Sequence, residues 1–277
     1  RAAAAKHNTV SQRAATYALL APDRSWLPAT AAVPTARTRT RLDATAAAAP
    51  NARTQRYVDD LLEAVADTDR GVRASDDARR IVEGLIGRLE RGYAGTNAEE
   101  TPDNLYRDTE VLYVGQRSSR RANAAGGRFR GRFGRLLFKT VGLYQHVLRE
   151  DGEVVAVNQN LFRFLGVLPG CAVLKGRAEP ETELQELGEK WNRTLSPNTL
   201  RATFDRPRVK FGPLVFAVGP ESTVRLDTTY LDERVRISRG GSTGTPFVFA
   251  ATDDAKKDVW RDVVAAEPVS ARGAGVA

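Results

Sequence analysis

The segment from residue 224 to 249 constrains the fold more than any other part of the chain. It reads V-R-L-D-T-T-Y-L-D-E-R-V-R-I-S-R-G-G-S-T-G-T-P-F-V-F. Three runs rich in β-branched and aromatic residues are separated by short turn signals, the first at Asp232 and the second at 240–244. Such alternation predicts the closing meander of an antiparallel β-domain.

A period of two begins at Asp108 and recurs along the rest of the chain. It predicts further strands between short turns that contain Gly, Pro or Asn. The predicted strands cover 128–132, 154–164, 171–178, 199–204, 209–218, 222–230, 234–238 and 246–250. Many short strands in sequence favour either a β-sandwich or a closed barrel.

Helical spacing predicts three helices. Apolar residues three or four positions apart predict helices over about 55–68 and 76–92, with Ser75 as the N-cap of the second. We expect these two helices to pack as a hairpin against the β-domain. A short helix over 253–266 carries an apolar face that includes Trp260.

The same β-rich segment resembles the C-terminal signature of the plastid lipid-associated proteins, or fibrillins. The matching residues are Thr228, Thr229, Tyr230, Leu231, Asp232, Arg234, Arg236, Ile237, Arg239, Gly240 and 247–249. Residues 126–148 and 161–176 are similar to the family's early barrel region. The resemblance runs from about 57 to 250, and it departs from the family pattern at 179–192, which looks like an acidic insertion.

This resemblance implies a mainly β fold, a lipocalin-like antiparallel β-barrel with an N-terminal helical hairpin and extended termini. We therefore expect three parts: an Ala/Arg-rich extended arm at 1–53, a fibrillin-like domain at 54–252, and a C-terminal helix and tail at 253–277. The chain begins with Arg1 and contains no Met. Removal of a transit peptide on import into a plastid is consistent with that start, and so is a trimmed chain.

Charge is unevenly distributed along the chain. The formal net charge is +8, and residues 115–149 carry nine Lys or Arg and no acid. If 128–132 is a strand, Arg128, Arg130 and Arg132 lie on one face. Because Arg matches phosphate oxygens well, this face predicts binding to an anionic surface such as lipid headgroups. A merely solvated strand face is the alternative, and the short run disfavours a nucleic-acid partner.

The sequence contains no recognisable catalytic constellation. Only His7 and His146 are present as histidines, and the single cysteine, Cys171, lies in an apolar run. We interpret His146 and Cys171 as structural residues and expect neither an enzyme nor a metal site. The glycine-rich 240–244 lacks the Lys-Ser/Thr ending of a phosphate loop and is interpreted as a hairpin turn.

A small barrel encloses one small ligand or a filled core. Large apolar residues that we place near such a cavity are Phe162, Phe164, Phe211, Phe216 and Tyr230. Asp227 and Asp232 match the family's aspartates that are candidate ligand contacts, although Asp232 also suits a turn. The family implies a bound carotenoid, prenylquinone or lipid as the candidate cofactor.

The predicted function is therefore a non-enzymatic plastid protein that binds or organises small hydrophobic molecules at the thylakoid or plastoglobule surface. No apolar run approaches the ~20 residues needed to span a bilayer, so we expect either a soluble protein or a peripheral membrane association. The alternative is a structural subunit of a larger thylakoid complex, held through its terminal extensions. Trp26, Leu27 and Trp260 are the candidate partner-binding residues, since large aromatics are common interface hot spots.

Overall fold

The computed structural model describes residues 52–93, 102–115 and 137–269. Two helices come first, α1 at Ala52–Ala66 and α2 at Asp76–Gly92. The Ser75 hydroxyl accepts a hydrogen bond from the Ala78 backbone N–H at 3.1 Å, as expected of an N-cap. Both helices therefore begin and end within a few residues of their predicted positions.

Ten strands follow. They are β1 Asp108–Val114, β2 Phe138–Glu150, β3 Glu153–Phe164, β4 Leu168–Pro180, β5 Thr199–Phe204, β6 Arg208–Phe211, β7 Leu214–Ala217, β8 Ser222–Leu231, β9 Val235–Gly240 and β10 Thr245–Ala251. Eight of them form a closed antiparallel ring in the order β1–β2–β3–β4–β5–β8–β9–β10, because β3 pairs with β4 and β10 pairs with β1. The predicted mainly β, lipocalin-like barrel is confirmed, and the sandwich is excluded.

Two predictions about strands were wrong. Residues 209–218 form a hairpin of two strands, β6 and β7, because Gly212 turns the chain with φ of 54°. This hairpin lies outside the ring and pairs with the first half of β4. The long strand β2 was missing from the prediction, although the resemblance covered most of it. The predicted strand at 128–132 lies outside the described residues.

The helical hairpin packs against the outside of the barrel. Val58, Leu61, Val82 and Ile86 form one buried cluster with apolar side chains of β1, β8, β9 and β10. Burial of this stripe holds the helices, since each fully buried side chain contributes about 1.5–3 kcal/mol. A polar tie adds to it: Glu90 of α2 accepts two hydrogen bonds from Arg239, at 2.7 and 2.8 Å.

Two shorter helices lie elsewhere on the barrel. Within the acidic insertion, α3 spans Leu184–Trp191. Near the C-terminus, a 3₁₀ turn at Ala255–Asp258 leads into α4 at Val259–Ala265. Trp260 of α4 is only 2% exposed and packs on the outer faces of β3 and β4. Its predicted partner-binding role is corrected to packing within its own chain, because a buried ring is not available to a partner.

One end of the barrel is closed. A 3₁₀ turn at Asp103–Leu105 places Leu105 over the inward-facing Val147, Leu200 and Leu231. All four side chains are buried, so this end excludes solvent. Among the described helices, none combines the length and apolar composition that crossing a bilayer requires.

Candidate ligand cavity

The barrel encloses a cavity of about 1590 Å³. Successive side chains of a strand point to opposite faces, so alternate residues of the ring strands line the interior. The wall is mostly apolar, from residues of β1, β2, β4, β5, β8 and β10: Val111, Leu143, Leu174, Ala202, Phe204, Leu226, Phe247 and Phe249. This volume exceeds the ~300–1,000 Å³ of ordinary small-molecule sites, which leaves room for a bulky or long-chain ligand.

Small side chains keep the interior open. Ala156, Ala178 and Ala202 meet on the inner faces of three neighbouring strands and contact Phe204. On β4, Gly176 lies so close to β5 that a Cβ there would collide with the carbonyl oxygen of Thr203. Larger residues in place of these three alanines would fill the barrel, so the alanines leave the cavity open.

A polar cluster lies inside the barrel next to the closed end, and we call it the polar floor. It consists of Arg236 of β9, Gln145 of β2, and Asn158 and Asn160 of β3. Arg236 donates to Gln145 Oε1 at 2.5 Å, and Gln145 Nε2 donates to Asn158 Oδ1 at 2.9 Å. Gln145, Asn158 and Asn160 line the cavity, and Arg236 lies directly behind Gln145.

Arg236 is 1% exposed, and its guanidinium lies 4.4 Å from the centre of the Phe249 ring. Burial lowers the pKa of Arg236 to about 9. Asn160 is 6% exposed, and neither atom of its amide has a hydrogen-bond partner among the described residues. Buried polar groups normally have partners, so these two side chains are unusual.

Exposed apolar side chains surround the other end of the barrel, and we call this set the apolar rim. Leu137, Val218 and Val224 line the mouth of the cavity, and four more residues occupy the tips of the β3–β4 and β6–β7 hairpins: Leu165, Val167, Leu168 and Leu214. Val167 is 75% exposed. Leu165 has a φ of 49°, which is uncommon for a branched residue.

Basic residues flank the apolar rim. Lys139 and Arg163 are exposed and face each other across β2 and β3. Lys210 lies nearby on β6, opposite Cys171. None of the three forms an ion pair with an acid in the described part of the chain, so their charges are available to an anionic surface.

Three of the predicted aromatic residues form a layer beside the cavity, on the same strand faces as Asn160 and Val209, which line it. Phe162, Phe164 and Phe211 pack on one another with ring centres 5.4–6.1 Å apart. Phe138, which lines the cavity, lies 5.2 Å from both Phe162 and Phe164. Phe216 is half-buried on β7, opposite the cavity-lining Val209. The sequence thus located the right region, although none of these four predicted rings lines the cavity itself.

Tyr230 and the two aspartates face away from the cavity. A bulge between Thr228 and Tyr230 reverses the alternation of β8, so Tyr230 packs against the helical hairpin. Asp227 accepts a hydrogen bond from the Ser196 backbone N–H at 2.9 Å. Asp232 accepts bonds from two backbone N–H groups of its own turn, both at 2.7 Å. These contacts assign both aspartates to loop structure in place of the expected ligand contact.

The remaining predicted residues divide into two groups. His146 is buried and its Nδ1 lies 2.8 Å from Asp108 Oδ1, while Cys171 is buried and burial raises the pKa of its thiol to about 12. Both positions suit structural residues. The proposed anion-binding and partner-binding residues outside the described part of the chain are Arg128, Arg130, Arg132, Trp26 and Leu27.

Sequence reasoning missed the polar floor. A signal was present in V-A-V-N-Q-N-L-F, where Asn158 and Asn160 occupy alternate positions of a strand whose neighbouring inward residues, Ala156 and Phe162, are apolar. Polar residues in such positions need partners inside the barrel. Arg236 was not recognisable from the sequence, because it lies in a basic segment. Its neighbours Arg234 and Arg239 are ordinary arginines that pair with acids.

An eight-stranded antiparallel barrel closed around one cavity defines a lipocalin-like protein. The chain is 32% identical over 205 residues to "Probable plastid-lipid-associated protein 8, chloroplastic" of Arabidopsis thaliana. The aligned region covers 73% of this chain and 75% of the Arabidopsis protein. It therefore belongs to the plastid lipid-associated protein, or fibrillin, family, as the sequence resemblance predicted. The chloroplastic relative also confirms the expected plastid location. No family model and no solved structure matches the chain.

Proposed function

We propose that this plastid protein is a non-enzymatic carrier of small hydrophobic molecules, such as a carotenoid, a prenylquinone or a lipid. The observation that supports the proposal is the apolar cavity of about 1590 Å³ inside a closed barrel. Burial of apolar surface in such a cavity drives binding without any catalytic group. The relative's name, a plastid-lipid-associated protein, agrees with this role.

The apolar rim is the part of the barrel that docks on lipid in this proposal. Leu165 and Val167 protrude at the tip of the β3–β4 hairpin, where water otherwise surrounds them. Transfer of such side chains into an acyl layer is favourable, and the nearby Lys139 and Arg163 attract anionic headgroups. A ligand then passes from the lipid layer into the cavity without crossing water. A thylakoid membrane and a plastoglobule both offer this kind of surface.

The arginines at 128, 130 and 132 extend the same proposal. They belong to the segment that joins Gly115 to Leu137, and Leu137 is at the cavity mouth. Anionic lipid binding by Arg128, Arg130 and Arg132 stays a prediction, because these residues lie outside the described part of the chain. Their replacement by Gln is expected to weaken vesicle binding at low salt and to have less effect at high salt.

Vesicle sedimentation tests the docking surface. The variant Leu165→Asn/Val167→Asp is expected to bind vesicles of neutral and anionic lipid about 100-fold more weakly, since transfer of two apolar side chains contributes roughly 3 kcal/mol and each 1.4 kcal/mol is a factor of about ten. Ile81→Asp is the matched control, because Ile81 is 58% exposed on α2, away from the rim. The proposal fails if the control weakens vesicle binding as much as the rim variant does.

The structural-subunit alternative stays a prediction. It depends on Trp26 and Leu27, which lie outside the described residues, and on Trp260, which is buried within the chain. Removal of residues 1–53 with retained binding to vesicles and loss from a native thylakoid complex would support that alternative.

A further inference from the structure

The polar floor has a fixed direction of hydrogen bonding. A guanidinium only donates, so Gln145 must present its oxygen to Arg236. The amide nitrogen of Gln145 then donates to Asn158, so the Asn158 –NH₂ group is the last donor of this series of hydrogen bonds. Hydrogen bonds in a series polarise one another, and the first donor of this series is the cationic guanidinium of Arg236. The floor therefore presents donors to the cavity.

Asn160 lies two residues beyond Asn158 on β3 and carries an unsatisfied amide. It lies between Leu143 and Ala172 on neighbouring strands, both of which line the cavity. Neither amide atom of Asn160 has a partner among the described residues. An unsatisfied buried polar group costs about 1–3 kcal/mol, so a ligand group that binds here stabilises the protein.

The positive charge of Arg236 is not balanced by an acid. No carboxylate of the described residues pairs with it, and its Nε and Nη1 atoms have no hydrogen-bond acceptor there. The Phe249 ring supplies a cation–π contact, whose contribution is smaller than that of a paired anion. With its pKa at about 9, Arg236 is still charged at neutral pH.

We propose that the cavity takes a long-chain amphiphile whose head group is an anionic oxygen acceptor, a carboxylate, bound at the polar floor. The apolar chain then follows the wall toward the rim. This inference rests on the proposed function and deepens it, since it names the chemical class of the ligand. A neutral carbonyl accepts the amide donors but leaves the Arg236 charge unbalanced, so the geometry favours the anion.

Binding of oleic acid and of its methyl ester to the full chain tests the inference. The two probes share the same apolar chain and differ in charge. Displacement of a neutral fluorescent dye measures both affinities. We expect the wild-type chain to bind the acid about 10- to 100-fold more tightly than the ester, because hydrogen bonds to charged groups are the stronger ones.

Two arginine variants separate head-group recognition from general effects. Arg236→Met is expected to remove the preference for the acid and to leave ester binding within about twofold, since it keeps the apolar volume. Arg225→Met is the matched control, because Arg225 also lines the cavity but is already paired with Glu181 at 2.5 Å. Arg236→Lys, which keeps the charge, is expected to retain part of the preference.

The outcomes distinguish the head-group inference from the proposed function. Equal binding of acid and ester by the wild-type chain overturns the head-group inference and leaves the carrier function intact. Failure of oleic acid, methyl oleate and the dye to bind at all overturns both. If circular dichroism shows that Arg236→Met does not fold, Asn160→Leu replaces it. An unchanged preference for the acid in Asn160→Leu contradicts binding of the carboxylate at the polar floor.

Discussion

An open cavity and a filled core respond in opposite ways to a larger side chain, and Ala202→Leu exploits this difference. Ala202 is buried on β5 and points into the barrel, where it meets Ala156 and Ala178. In a packed core, the added carbons would cost about 1–3 kcal/mol by overpacking. In a cavity of about 1590 Å³, they enter empty space.

The magnitude follows from the three extra carbons of leucine. Each buried CH₂ contributes about 0.8 kcal/mol, so complete burial would add roughly 2.4 kcal/mol. Ordering the leucine side chain costs about 0.5–1 kcal/mol, and part of it stays exposed to the cavity. We therefore expect a change in the free energy of unfolding between zero and about +1.5 kcal/mol.

Urea unfolding and binding of methyl oleate check the prediction together. Ala202→Leu is expected to keep or raise stability and to weaken binding, since it occupies ligand volume. Thr203→Leu is the control, because Thr203 is exposed on the outer face of the same strand. Loss of more than about 1 kcal/mol in Ala202→Leu, with unchanged probe binding, would refute the open cavity.

Three further predictions concern the scaffold. Burial lowers the pKa of His146, so below about pH 6.5 the unfolded chain binds a proton that the folded chain does not bind. The free energy of unfolding should therefore decrease as the pH is lowered through this range, by up to about 1.4 kcal/mol per pH unit. In urea titrations, His146→Gln should flatten this slope. Gly176→Ala should destabilise by at least about 2 kcal/mol through its clash with β5, whereas Gly84→Ala on α2, where a Cβ meets nothing, should stabilise in the same melts. Trp260→Ala should cost about 3–5 kcal/mol in urea unfolding, and a neutral effect would contradict the packing role.

The elements of this fold are largely predictable because their signals are local. Helices α1 and α2 follow from apolar residues at helical spacing and from the Ser75 N-cap. The meander of β8, β9 and β10 follows from alternation and turn residues. The hairpin at Gly212 was missed because two four-residue strands and their turn look like one apolar run.

The sequence by itself determined most of the strands, the helical hairpin, the basic segment and the family, since each depends on neighbouring residues. Only the tertiary structure decided which side chains meet inside the barrel. Strand β3 is buried on both faces, with Val157 under α4 and Ala156 toward the cavity, so alternation alone does not tell inside from outside. The bulge in β8 turned Tyr230 outward. Ring closure brought Arg236, Gln145 and Asn158 together from three strands, because long-range pairing sets which residues become neighbours.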